Sequence, residues 1–122
     1  MNIALWIAQI LLAIAFGFHA YTLLHRLDRT RKRVPWMRAV STGLLQTIGT
    51  LETLAAVGLV LPAATGVLAS LTPIAAASLV ALMLLAIVFH IRRREWRNVV
   101  LNLILGALSA FVLYGRMVSE PI

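Results

Sequence analysis

Four apolar stretches, each long enough to cross a lipid bilayer as a helix, dominate this sequence of 122 residues. A bilayer-spanning helix needs about 20 mostly apolar residues. Because lipid offers the backbone no hydrogen bonds, only helices and closed barrels can span a membrane. The sequence therefore predicts an all-α fold, a transmembrane four-helix bundle in one integral membrane domain over residues 1–122. The predicted helices cover about residues 3–25, 42–61, 73–91 and 98–115.

Composition supports the membrane prediction and narrows the classes of ligand. Hydrophobic residues make up 61% of the chain and charged residues 12%, whereas soluble domains average about 25% charged residues. The net charge of +7 would indicate nucleic acid in a soluble protein, but here the basic residues flank apolar stretches. The predicted partner is therefore the lipid bilayer and not nucleic acid. The chain has no cysteine, and its three histidines lack the close spacing of metal ligands, so no metal site is predicted.

The distribution of basic residues predicts how the chain is threaded through the membrane. Ten of the eleven Lys and Arg residues fall in two segments, 26–41 and 92–97. The hairpin over residues 62–72 carries no charge. The positive-inside rule therefore predicts that both basic loops are cytoplasmic and that the hairpin and both termini lie outside.

Local signals predict where the middle helices begin and end. Ser41 or Thr42 is a suitable N-cap for the second helix, and Pro62 is expected to end it. Thr72 followed by Pro73 is the pattern of an N-cap with proline at the first helical position, which predicts the start of the third helix.

Glu52 is the only acidic residue within an apolar stretch, and it lies near the middle of the second helix. A carboxyl group at that depth is costly in lipid, so it should face other helices and be paired or protonated. The other helices also carry polar residues, which should converge with it because lipid cannot hydrogen-bond to them. The predicted intramembrane polar pocket consists of His19, Gln46, Glu52, His90 and Asn102.

The pocket has a functional and a structural interpretation. Histidine titrates near neutral pH, so a His and a Glu together could take up and release protons. We expect Glu52 and His90 to be the proton-handling pair, with His19 and Asn102 lining the pocket. Such a pair could serve a quinone head group or a proton-coupled transport step. The alternative is that these side chains only cross-link the helices. No catalytic residue is assigned.

Several short motifs in order along the chain resemble the small DoxX-like family of bacterial four-helix integral membrane proteins. They are Gly49-x-x-Glu52, Gly58-Leu-x-Leu61-Pro62, Leu71-Thr72-Pro73, Met83, His90 and Tyr114-Gly115-Arg116. The resemblance implies a location in the bacterial cytoplasmic (inner) membrane. The wider family takes its name from a membrane subunit associated with thiosulfate–quinone oxidoreductase, and other relatives are linked to oxidative-stress responses. A quinone is the cofactor that this resemblance suggests.

Three functions are therefore carried forward. The first is a subunit or partner in quinone-linked membrane redox chemistry or an oxidative-stress response. The second is a structural accessory subunit that packs against a larger membrane complex. The third is a small proton-coupled transporter acting as a dimer. Each implies a further partner, either another membrane or membrane-associated protein or a second copy of the chain.

Overall fold

The computed structural model describes residues 2–121, and its elements are all helical over that range. They follow one another as α1 (Asn2–His25), α2 (Leu27–Arg33), a 3₁₀ turn (Pro35–Ala39), α3 (Thr42–Thr65), α4 (Leu71–Arg92), α5 (Trp96–Tyr114) and a π-helical turn (Gly115–Ser119). Four of the helices are long and apolar enough to cross a membrane. The predicted all-α four-helix bundle is confirmed.

The four long helices close into a ring in which α1 packs on α3, α3 on α4, α4 on α5 and α5 on α1. Large apolar side chains fill the centre, among them Leu12, Phe16, Leu59 and Leu79, none more than 2% exposed. Many other large apolar side chains point outward. An apolar core inside an apolar exterior suits a bundle whose outer faces meet lipid.

Helix α3 does not end at Pro62 as predicted but continues to Thr65. Proline has no N–H, so its position in the helix removes the usual donor to the carbonyl of Gly58. The hydroxyl of Thr72 donates to that carbonyl at 2.9 Å, and the side-chain amide of Gln9 donates to the next one, at Leu59, at 2.5 Å. The prediction was wrong because Thr72, on the neighbouring helix, supplies the hydrogen bond that Pro62 forfeits.

The turn after α3 is correspondingly shorter than the predicted hairpin. Gly66 ends α3 with a φ of 73°, the left-handed conformation that glycine adopts most easily at a helix end. Helix α4 already begins at Leu71, so Thr72 lies inside it rather than capping it. At the other end of α3 the prediction is confirmed, since Ser41 is the N-cap and its hydroxyl accepts from the Leu44 N–H at 3.2 Å.

The first basic segment, predicted as a loop, is itself folded into α2 and the 3₁₀ turn. The Arg31 guanidinium donates to the Val40 carbonyl at 2.8 Å and to the Thr42 hydroxyl at 2.7 Å. The Arg38 guanidinium donates to the carbonyls of Arg31 at 2.9 Å and Lys32 at 2.6 Å. Two of the basic side chains therefore hold this segment across one end of the bundle.

Candidate functional site

A cavity of about 930 Å³ opens between the helices at the end of the bundle that the first basic segment covers. Helices α1, α3, α4 and α5 all contribute to its wall, and so does the 3₁₀ turn. Most of the lining is apolar, and its volume falls in the range of roughly 300–1,000 Å³ typical of small-molecule sites. The main polar and aromatic residues of the wall are His19, Trp36, Glu52, Phe89, His90, Asn98 and Asn102.

Glu52 forms a close pair with His19 across the contact between α1 and α3. Nδ1 of His19 lies 2.8 Å from Oε1 and 3.0 Å from Oε2 of Glu52. The Glu52 side chain is 2% exposed, whereas that of His19 is 37% exposed, because its ring borders the cavity. Both side chains belong to the cavity wall, but the carboxyl is the more deeply buried of the two.

Trp36 lies between the two histidines of the cavity wall. Its ring is stacked near that of His19, with centroids 6.3 Å apart and planes inclined by 27°. Its edge-to-face contact with His90 has a centroid distance of 5.2 Å and an angle of 90°. Phe89 contacts both Trp36 and His90. Pro35 sets this position, since it begins the 3₁₀ turn that carries Trp36 under the helices.

His90 is paired with Glu95 and not with Glu52. Its Nδ1 lies 2.8 Å from Oε1 of Glu95, which also accepts from Nε of Arg93 at 3.2 Å. Partial burial raises the pKa of the Glu95 carboxyl, but the hydrogen bonds from His90 and Arg93 lower it by more, so the pKa lies below the usual value for glutamate. The predicted Glu52–His90 pair is therefore replaced by two separate pairs, each a glutamate holding the Nδ1 of one histidine.

Four of the five predicted pocket residues line this cavity, and Gln46 does not. His19, Glu52, His90 and Asn102 share the wall, although they come from four different helices. Gln46 is exposed and lines a smaller recess instead. At 100° per residue, its position on α3 points away from that of Glu52, so counting polar residues by depth alone misplaced it.

Comparison with protein families matches residues 7–112 to the DoxX-like family. The match covers most of the chain. The chain belongs to the DoxX-like family. No match is found among curated proteins or among solved structures.

The DoxX-like match takes in every residue of the cavity wall, but it ends before Arg116. That side chain is buried at the opposite end of the bundle, where its Nε donates to Gln9 at 2.7 Å and its Nη1 donates to Asn2 at 2.8 Å. Its Nη2 has no partner within residues 2–121. Arg116 therefore ties the start of α1 to the turn after α5, at one end of this DoxX-like bundle.

Two residues of the site escaped the sequence analysis. Trp36 and Glu95 both lie within basic segments, where their neighbours in the sequence are charged. The Trp36-Met37 pair directly after Pro35 is the one signal that could have identified Trp36, because it is apolar within a polar stretch. Among residues 2–121 no group of three His, Asp or Glu side chains is arranged to hold a metal ion.

Proposed function

We propose that this DoxX-like protein binds the head group of a membrane quinone in the cavity and exchanges protons with it, as a partner in quinone-linked redox chemistry. The observation that carries the proposal is the His19–Glu52 pair in the wall of an otherwise mainly apolar cavity. A quinone needs an apolar slot for its ring and hydrogen-bond donors for its carbonyl oxygens.

The two histidines are suited to supply those donors. Each imidazole faces a glutamate with Nδ1, which leaves Nε2 for the cavity. Nε2 carries a hydrogen that it can donate when the His–Glu pair holds one proton more than a neutral imidazole and a carboxylate. The indole of Trp36 and the ring of Phe89, which contact each other edge to face, form an aromatic part of the wall against which a head group can pack. Reduction of the head group to the quinol takes up two electrons and two protons.

In this proposal, the His19–Glu52 pair stores one proton and passes it through Nε2 of His19. The His90–Glu95 pair handles a second proton and connects the cavity to the exposed turn between α4 and α5. A redox protein that docks on the membrane surface supplies the electrons. These protons enter from the same side as the basic segments.

Direct binding tests the proposal. The purified protein in lipid nanodiscs is titrated with a short-chain ubiquinone and a short-chain menaquinone. We expect saturable binding, and we expect Glu52→Gln and His19→Leu each to raise the Kd at least tenfold. His25→Ala is the matched control, since His25 is exposed and lies outside the cavity. Unchanged quinone affinity in Glu52→Gln, His19→Leu and His90→Ala would overturn the proposal and leave the pairs as structural ties between helices.

We also propose that the protein lies in the bacterial inner membrane with both basic segments in the cytoplasm and both termini outside, as the positive-inside rule predicts. The absence of cysteine makes this simple to test. Single variants Ser119→Cys and Arg33→Cys are treated in intact cells with a membrane-impermeant maleimide. Labelling of Ser119→Cys alone is expected, and labelling of Arg33→Cys alone would reverse the orientation.

A further inference from the structure

A second, smaller recess of about 460 Å³ lies beside the end of α1, outside the main cavity. It is formed by the last residues of α1, the start of α2 and the first turns of α3. Its polar wall comprises His25, Arg26, Asp28, Arg29, Thr42 and Gln46. Two arginines against one aspartate give it a net positive charge even when His25 is neutral.

Arg26 and Arg29 of the recess differ in their hydrogen bonding from Arg31 and Arg38 of the same basic segment. Arg31 and Arg38 direct their guanidinium groups at carbonyls of the segment itself. The side chains of Arg26 and Arg29 are exposed and have no hydrogen-bond partner within residues 2–121, and the same holds for the Gln46 amide. The recess therefore contains side-chain hydrogen-bond donors that form no hydrogen bond within residues 2–121.

The recess lies where a lipid head group would be. Tyr21, half exposed on α1 and in ring contact with His25 at 5.4 Å, is typical of the membrane interface. Thr42 begins the membrane-spanning helix α3, and Gln46 lies one turn further in, at about 6 Å of helical rise. On α3 the recess residues occupy the side opposite Leu44 and Ile48, which line the main cavity.

We propose that this recess binds the phosphate group of an anionic phospholipid. The guanidinium groups of Arg26 and Arg29 bind the phosphate oxygens, since planar guanidinium donors suit phosphate. The Thr42 hydroxyl, which accepts from Arg31 and can still donate, and the Gln46 amide one turn deeper reach the glycerol and ester oxygens. The bound lipid fills the space between α1 and α3 on the outer face of the bundle and steadies the first basic segment. This site gives Gln46 a role that the main cavity does not.

Native mass spectrometry of the purified protein tests the proposal. The protein is loaded with phosphatidylglycerol in mixed micelles and then diluted into phosphatidylcholine. We expect the wild-type protein to retain one phosphatidylglycerol. The double variant Arg26→Gln/Arg29→Gln should retain at least fivefold less. Arg92→Gln/Arg97→Gln is the matched control, because it removes two exposed arginines from the second basic segment, outside the recess. Gln46→Leu, which leaves the charge unchanged, should weaken retention by a smaller factor.

Equal loss of retention in the recess variant and in the control would show general attraction to surface charge and overturn the proposal. So would full retention in Arg26→Gln/Arg29→Gln. A free phosphate is the other source of the same group. If inorganic phosphate at millimolar concentration displaces the phospholipid, the recess is a solute site and the lipid assignment is overturned. If phosphate has no effect while phosphatidylglycerol is retained, the lipid is the ligand. Circular dichroism confirms that each variant is folded.

Discussion

Nδ1 of His19 lies 2.8 and 3.0 Å from the two carboxyl oxygens of Glu52, so one imidazole nitrogen contacts both oxygens of a buried acid. The contact joins α1 to α3 across 33 positions of sequence. It fixes which histidine nitrogen faces the glutamate and which faces the cavity. This contact holds two helices together, and in the proposed function it also transfers a proton to the ligand. Experiments can separate the structural role from the proton-transfer role.

A double-mutant cycle measures how much the His19–Glu52 contact contributes to the stability of the fold. His19→Ala leaves the carboxyl of Glu52 buried without its partner, so we expect a marked loss of stability. Glu52→Gln in the His19→Ala background should restore part of it, because the neutral amide costs less to bury. The expected coupling energy is about 1–3 kcal/mol, measured by reversible unfolding in mixed micelles. His25→Ala should change stability little, and additive effects of the two substitutions would contradict the pairing.

The His90–Glu95 pair predicts a pH dependence at the turn between α4 and α5. The pKa of Glu95 is lowered in the folded protein, so its ionised form stabilises the fold. That contribution is complete above the unfolded value of about 4.3 and is lost as the pH falls through the lower folded value. Wild type should therefore be more stable than Glu95→Gln at pH 6, and the difference should vanish at acid pH. Melting temperatures of both proteins between pH 7 and pH 3 provide the measurement.

The matched control for this titration is Asp28→Asn, an exposed acid on α2. Its effect on the melting temperature should be small throughout the range. A stability difference between wild type and Glu95→Gln that stays constant down to the lowest pH would contradict the assignment of the lowered pKa to folding.

Thr72 and Pro62 should be energetically coupled through the carbonyl of Gly58. Thr72→Val preserves the side-chain shape but removes the hydroxyl that donates to this carbonyl. A buried carbonyl without a donor costs about 1–3 kcal/mol, and we expect a loss of that size. In a Pro62→Ala background the new N–H at position 62 can donate instead, so Thr72→Val should then cost less than half as much. Thr65→Val is the control, because its exposed hydroxyl donates to the Leu61 carbonyl and accepts from the Val67 N–H, away from Pro62 and Gly58. Equal costs in both backgrounds would contradict the coupling.

The sequence predicts the number of membrane-spanning helices and the burial of Glu52, because hydrophobic length and the cost of a buried charge are local properties. It also predicts the Ser41 cap. The partner of Glu52 was not predictable in this way. His19 and His90 both lie towards the end of the bundle that carries the basic segments. The choice between them depends on helix rotation and on Glu95, a residue in a charged turn.

The fold of the first basic segment was also not predictable from the sequence. Its arginines predict the membrane side on which it lies, but Arg31 and Arg38 bind its own carbonyls and so build a covering for the cavity. That arrangement depends on the backbone conformation from Pro35 to Val40, and no repeating pattern of apolar residues in the sequence predicts that conformation. The predicted helix end at Pro62 was wrong for a related reason, since the donor that replaces its missing N–H comes from Thr72 on another helix.

The central claim is that a quinone head group binds beside His19 and Glu52, and fluorescence of Trp36 tests it most directly. Trp6→Phe/Trp96→Phe leaves Trp36, in the cavity wall, as the single tryptophan. Titration of this variant in nanodiscs with a short-chain quinone should quench the fluorescence saturably. Adding Glu52→Gln should shift the midpoint at least tenfold, whereas adding Gln46→Ala should leave it unchanged. Linear, non-saturating quenching that is the same in all three proteins would contradict the account.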